Sequence, residues 1–419
     1  MSRRLRQITA TTDVHSAFGS SAPMLAHLHA ARAHSLVVDC GDFFEGSGYY
    51  RIGQGRIERE VLTGLYDLLA PGNHGWPHHF EPGLREMTVC ANAADDTGKP
   101  LFDRVRVTLV GGRRVAVTAV ISPRAFRSIP VGQRVGHRVT DPVQALREVL
   151  LEHHHRADAW VVLSHSGFAE DLKLAAACPF ADVIFSGHCH ADACGPVRVG
   201  DTLVVKGREL GVGYATAEPV GNGWAARSAC FPSGSRLPDE LSLLAEKIDH
   251  VGRTLAARLG PVHEPYRNAE LDRHRLLREI TDRLHTECCT DGVILNETAL
   301  RPAPLGDQLT LSDLLAIEPF DNQLVHARLP GAYAADPHAF VTHLARQVGP
   351  LSIAPRPLPK EVRSVLTTDY LADTYLSGSG RTQTPGTARP GGTPRAGLGQ
   401  AVRRALTTPP PDEPEEGVR

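Results

Sequence analysis

Two runs in this chain, residues 160–164 and 182–186, are short and almost wholly apolar. Neither is long enough for a helix, and neither offers a polar face to water. Such runs are expected of strands covered on both sides, so the sheet they belong to must be sandwiched between other layers. The flanking sequence agrees. Residues 7–12 and 36–40 read as strands, while residues 24–33 and 57–68 carry apolar residues at helical spacing. Residues 105–110 and 114–120 read as a hairpin closed at Gly111-Gly112. Residues 142–154 read as a helix with Asp141 as N-cap and Pro142 at its first position. Strands alternating with helices over more than 180 residues specify a layered α/β domain with a buried sheet.

The chain has 419 residues, more than one ordinary core can organise, which predicts two domains. A long helix is expected over residues 238–259, and a second αβ segment over 262–376. Beyond Ser377 the Ser-Gly, Pro-Gly and Arg-Pro-Gly-Gly-Thr-Pro sequence lacks the apolar residues needed to bury itself. The expected division is 1–234 for the first domain, 235–261 for a linker helix, 262–376 for the second domain and 377–419 for a mostly disordered tail. Within that tail only residues 397–406 read as a helix.

A formal charge of −2 gives no global field to recruit nucleic acid or an anionic membrane. No apolar stretch approaches the ~18 residues of a membrane span. The eight cysteines include no Cys-x-x-Cys pair and several sit in apolar runs, as reduced buried thiols do. With no signal-peptide pattern at Met1–Arg6, the expected location is the cytoplasm. Histidine stands out at 21 residues against 12 Phe and 8 Tyr, which points towards metal. The runs His78-His79 and His153-His154-His155 are expected on the surface.

The chemistry is carried by where the polar residues fall. Asp13 and His15 follow the first strand, Gly41-Asp42 the second, and Gly72-Asn73-His74 the segment at 67–70. His165 ends the 160–164 run, and Gly187-His188-Cys189-His190 ends the 182–186 run. Each group lies just past the C-terminal end of an apolar run, where open α/β sheets gather ligands. Oxygen and imidazole donors suit divalent cations, and one shared carboxylate can hold two of them. The preceding glycines allow tight turns, so that the donors can converge on one cavity.

In this order the motifs resemble the calcineurin-like metallophosphoesterase superfamily. The second half resembles the C-terminal domain of two-domain 5'-nucleotidases (the bifunctional UDP-sugar hydrolase/5'-nucleotidase type). The residues that carry this are Asn296-x-x-x-x-Arg301, Gly306-Asp307, Leu309-Thr310, Asp313-Leu314, Pro319-Phe320-Asp321-Asn322 and Thr368-Asp369-Tyr370-Leu371-Ala372. The resemblance covers residues 5–376 and implies an N-terminal four-layer β-sandwich flanked by helices plus a smaller α/β C-terminal domain. It implies two divalent metal ions (Mn, Zn, Fe or Co), one on Asp13, His15, Asp42 and His190 and one on Asp42, Asn73, His165 and His188. His74 would act as transition-state stabiliser or acid. Arg267 and Arg301 would face phosphate, Asn296 the organic part of the substrate, and Tyr370 a base.

The implied partner is a small phosphate ester such as a nucleotide, with neither nucleic acid nor membrane involved. The implied activity is phosphomonoester hydrolysis of the 5'-nucleotidase kind. A 2',3'-cyclic nucleotide phosphodiesterase and a non-catalytic metal-binding relative remain open. Three departures stand out. Pro77 occupies the position, three residues after His74, where the family carries an orienting Asp. The loop expected to bring a first stacking aromatic is shortened between Gly331 and Pro359. The Gly-Gly-Asp that would grip a ribose is replaced by Asp373-Thr374-Tyr375-Leu376.

Overall fold

A computed structural model describes residues 3–189, 192–234, 236–288, 290–333, 335–376 and 397–409. His190, one of the expected metal ligands, lies outside the described residues. Contacts divide the chain into two compact units, Met1–Gly252 and Arg253–Arg419. The boundary falls within the helix Ser242–Leu255, which is shorter than the expected 238–259. Residues Arg258–Pro261 are instead drawn into a strand paired with Gln308–Thr310.

The first unit is built on two sheets. One runs, in spatial order, Gly223–Cys230, Gly213–Val220, Gln7–Thr11, Ser35–Asp39 and Leu68–Leu69. The last three are parallel. The other runs Val197–Val199, Thr202–Lys206, Val183–Ser186, Ala159–His165, Arg113–Ile121 and Val105–Val110. Its four central strands are parallel.

Strand periodicity sorts the side chains. Ile8, Ala10, Leu36 and Val38 of the first sheet meet Val115, Val117, Ala119, Val161, Leu163, Val183 and Phe185 of the second in one continuous core. The alternate residues Ala116, Val120, Trp160, Val162 and Ile184 face the other way. There they pack against Ala145, Leu146 and Val149 of helix Pro142–His153 and Leu174 and Ala175 of helix Phe168–Ala177. On the first sheet, helix Ala22–Ala31 packs on strand Ser35–Asp39 and on helix Arg56–Leu65. The result is helix, sheet, sheet and helix, and the apolar strands are apolar because both of their faces are covered.

The second unit centres on a sheet ordered Leu324–Arg328, Ser364–Thr368, Val293–Asn296 and Leu351–Ala354. Helix Arg273–Cys288 covers one face. Phe340 and Leu344 of helix Pro337–Val348 pack with Ile294 and Val365 in a separate cluster. Helix Leu398–Thr407 lies beyond the low-complexity stretch. It inserts Leu398, Val402, Ala405 and Leu406 into the same core as helix Arg273–Cys288. No helix among the described residues is long and apolar enough to cross a membrane.

Two expectations about histidines are corrected. His79 is buried, with its ring nitrogen 3.0 Å from the Thr88 hydroxyl. Burial pushes its pKa down to about 3. His78 stacks on Phe44 and meets Tyr50 and Glu81. The cause is the buried Trp76, which pulls the following residues inwards as a short helix, Trp76–Phe80.

Under the parallel strand ends lies a carboxyl that forms no ion pair among the described residues. Asp39 shares hydrogen bonds with the Thr11 hydroxyl at 2.5 Å and the Gly41 N–H at 2.9 Å. Burial pushes its pKa up to about 8. The folded chain therefore holds a proton that an unfolded Asp releases above about pH 4. The associated stability is complete below that pH and is lost as pH rises through about 8. Asp39→Asn should remove this dependence, so its melting temperature relative to the parent should rise between pH 6 and pH 9. Parallel pH profiles for the two proteins would refute a proton on Asp39.

Candidate active site

The site forms where five chain segments leave their strands. Beyond Gln7–Thr11 and Ser35–Asp39 the pairing does not stop. The Asp13 N–H donates to Gly41 O at 3.0 Å, His15 N–H to Asp42 O at 2.9 Å and Ser16 N–H to Phe43 O at 2.9 Å. Lacing two loops together this way demands unusual backbone. Of the ten non-glycine residues with left-handed φ among those described, six are here: Asp13, His15, Ser16, Asp42, Glu45 and His188. Each costs about 1–2 kcal/mol, and such costs concentrate where geometry serves function.

Asp42 is the hub. Its Oδ1 accepts the His74 N–H at 2.8 Å, and its Oδ2 lies 3.2 Å from His165 Nε2 and 3.9 Å from His15 Nε2. His165 Nε2 is also 3.1 Å from Asn73 Oδ1, while its Nδ1 is 2.8 Å from Cys40 O. With Nδ1–H committed to that carbonyl, Nε2 is the nitrogen turned towards the cluster, where a cation would displace its proton. Asp13 accepts the His188 N–H at 3.0 Å, and its Oδ1 is 4.0 Å from His15 Nε2. Two ligand-like groups result, His15 with Asp42 and His74, and Asp42 with His165 and His188. Asp42 belongs to both. The expected set of Asp42, Asn73, His165 and His188 is thus brought together, as are Asp13, His15 and Asp42 of the other set.

Electrostatics favour a cation. Asp13, Asp42 and His165 are all but inaccessible to solvent. No lysine or arginine among the described residues hydrogen-bonds either carboxylate. Burial pushes Asp13 up to about 6. Burial acts the same way on Asp42, yet His165 holds that carboxyl far below its ordinary range. Burial would lower the pKa of His165, but Asp42 raises it to about 9. Two buried carboxylates among imidazoles, balanced only by a proton, are a donor set that divalent cations fit.

Three supports belong to none of the sequence motifs. Asp171, on helix Phe168–Ala177, receives hydrogen bonds from Ser164 at 2.6 Å and from Ser186, joining the ends of the strands that present His165 and His188. Lys206, 1% exposed, donates to Cys189 O at 2.6 Å and pairs with Glu209, holding the loop after His188. Glu45 Oε2 lies 3.0 Å from His74 Nδ1, while Pro77 is exposed at the start of its short helix. Only Asp171 had a readable signal, as a buried acid on an otherwise apolar helix face.

In the second unit, Asn296 ends strand Val293–Asn296 and Tyr370 follows the neighbouring parallel strand Ser364–Thr368. Both thus lie at one sheet edge. The Asn296 amide nitrogen donates to Thr298 at 2.6 Å, while its Oδ1 is buried without a hydrogen-bond partner. Arg301 is half-buried, and burial lowers its pKa. Its guanidinium lies 5.4 Å from the centre of the Phe320 ring, which is 46% exposed. Phe320 is therefore a second exposed aromatic beside the 51% exposed Tyr370, one that the Pro319-Phe320 motif could have flagged. Arg267 is exposed with its Nε donating to Val262 O, and no hydrogen bond joins it to Asn296, Arg301 or Tyr370.

Glycines set how closely these loops approach. A Cβ on Gly75 would come within 2.5 Å of Phe44 Cβ, whereas one on Gly221 would meet open space. Both glycines have positive φ. Gly221→Ala should cost about 1 kcal/mol from backbone strain alone. Gly75→Ala should cost about 1–3 kcal/mol more through overpacking, measured by chemical denaturation. Equal costs would show that the His74 loop has room to retreat from Phe44.

The chain is similar to several known proteins. Residues 6–192 match the model of the calcineurin-like phosphoesterase family. The uncharacterized metallophosphoesterase YunD of Bacillus subtilis is 28% identical over 209 residues, 45% of this chain and 44% of that protein. Protein 5NUC of Lutzomyia longipalpis is 22% identical over 71% of this chain and 62% of its own length. The chain thus spans roughly half the length of these relatives. The crystal structure of a 5'-nucleotidase precursor from Thermus thermophilus superposes with a TM-score of 0.68, at 19% identity, over 96% of each chain. The overall architecture is that of two-domain 5'-nucleotidase structures, and residues 6–192 form a calcineurin-like metallophosphoesterase domain.

Proposed function

We propose that this protein is a metal-dependent phosphohydrolase that releases phosphate from a nucleotide or a related small phosphomonoester. The observation that carries the reading is Asp42, a buried carboxylate common to two groups of metal-type donors. In this reading Asp13, His15, Asp42 and His190 hold one divalent ion, and Asp42, Asn73, His165 and His188 hold a second. Such ions supply a nucleophile at neutral pH and neutralise charge developing on the phosphoryl group.

The protein's own groups do the rest. Asp42 is fixed by the His74 N–H and keeps its charge because imidazoles surround it. His165 is oriented by Cys40 O. The His74 side chain, partly exposed beside His15 at 5.0 Å between ring centres, is available to a phosphoryl oxygen or leaving group. In the second unit Arg301 is the favoured phosphate or substrate contact, since a guanidinium fork suits phosphate oxygens and burial keeps it weakly hydrated. Asn296 offers an unpaired buried oxygen for a donor on the substrate. Tyr370 and Phe320 offer rings for a base. Arg267, exposed and turned to its own backbone, is the least supported of the expected contacts. That several relatives are named 5'-nucleotidases supports nucleotides as the first class to test.

Two measurements examine this reading. Phosphate release from 5'-nucleotides, sugar phosphates and a 2',3'-cyclic nucleotide should require added Mn²⁺ or a similar ion. Asp42→Asn should lower it by about two orders of magnitude or more. Retained turnover in that variant, or indifference to chelation, would overturn the assignment. Metal binding should also release protons, because His165 with its pKa near 9 is charged in the metal-free protein at neutral pH. Calorimetric titration in buffers of different ionisation enthalpy should then show close to one proton released at pH 7, falling above pH 9. Buffer-independent enthalpies would refute the displacement.

A further inference from the structure

We propose that Glu45 is the positioning residue for His74, taking the place that Pro77 leaves without a carboxylate. The proposal rests on the reading of His74 as a group that acts on the substrate. Glu45 is three residues after Asp42 in the segment Asp42-Phe43-Phe44-Glu45, so the hub carboxylate and the partner of His74 come from one loop.

That loop is rigidly held. Phe43 and Phe44 are 3% and 1% exposed and anchor it on the protein interior. Gly46, at φ 91°, lies so close to His15 that a Cβ there would come within 2.9 Å of His15 Cβ. Gly75 lies flush on Phe44 from the other side. The loop of His74 and the loop of Glu45 are therefore packed backbone to side chain, and Glu45 Oε2 meets His74 Nδ1 at 3.0 Å. Glu45 itself adopts left-handed backbone at φ 64°. Glutamate lacks the short local hydrogen bond that makes this conformation tolerable for Asn or Asp, so the position carries strain without a local return.

With a carboxylate on Nδ1, the ring is held in the Nδ1–H tautomer and in one orientation. Nε2 is then the nitrogen turned to the substrate, and in the imidazolium form, which the carboxylate favours, its N–H donates to a substrate oxygen. His74 is held at a second point by its backbone N–H, which donates to Asp42 Oδ1 at 2.8 Å. A bland surface ion pair between groups about one-quarter exposed is the alternative. It would add little stability and would not touch turnover.

A double-mutant cycle separates the two. The metal-loaded parent, Glu45→Ala, His74→Ala and the double variant are compared for kcat and KM on an alkyl phosphate monoester, with Glu45→Gln as the variant that keeps an acceptor. Glu45→Ala should lower kcat by about 10- to 100-fold with KM nearly unchanged, and Glu45→Gln should recover most of the loss. In the His74→Ala background, removing Glu45 should change kcat less than about twofold, because the residue through which it acts is gone. Independent losses that multiply would overturn the proposal.

A second readout does not depend on turnover. In the zinc-loaded protein, the nitrogen-15 spectrum of His74, assigned by its absence in His74→Ala, should report Nδ1–H in the parent and a mixture in Glu45→Ala. An unchanged tautomer overturns the proposal whatever the kinetics. A Glu45-dependent tautomer in a protein that hydrolyses no phosphate ester upholds the positioning role while defeating the proposed function.

Discussion

The buried negative charge of Asp42 is the constraint around which the first unit is arranged. A carboxylate removed from water must be compensated, and no lysine or arginine reaches it among the described residues. Compensation comes from imidazoles and backbone N–H groups delivered by separate strand ends. That requirement explains the laced loops, the left-handed residues and the glycines with no space for a Cβ. It also explains the sheet topology. Parallel strands deliver their C-terminal ends to one side, so one edge of each sheet can furnish several donors at once.

Much of this was legible because it was local. The strand at Ala159–His165 and the helix at Pro142–His153 follow directly from apolar periodicity and from the Asp141-Pro142 start. The convergence of Asp13, Asp42, Asn73, His165 and His188 is local in the same sense, since each follows an apolar run. What escaped depended on packing between distant segments. Glu45 looks like any surface glutamate until the Phe43-Phe44 anchor turns it towards His74. Lys206 ends an apolar strand and gives no hint that its ammonium is folded back under Cys189. His79 read as exposed because adjacent histidines suggest surface, whereas Trp76 sets the burial of the whole turn.

The second unit shows a different limit. Its sheet, and the placing of Asn296 and Tyr370 at neighbouring parallel strand ends, follow the motif order. Phe320 lies within the Pro319-Phe320-Asp321-Asn322 motif, whose sequence alone gives its ring no role. Its significance comes from Arg301 lying over it, a contact between residues well separated along the chain that no local pattern encodes.

The helix Leu398–Thr407 carries a consequence for the physical integrity of the chain. Four of its side chains complete a core made by residues far upstream, while the proline- and glycine-rich sequence from 377 to 396 joins it to Leu376. Breaking the covalent link between Leu376 and this helix would leave the contacts of Leu398, Val402, Ala405 and Leu406 in place. The nicked protein would migrate as two bands on a denaturing gel and as one particle through a sizing column. Loss of the smaller piece from the column fraction would mean that the helix only rests on its neighbours.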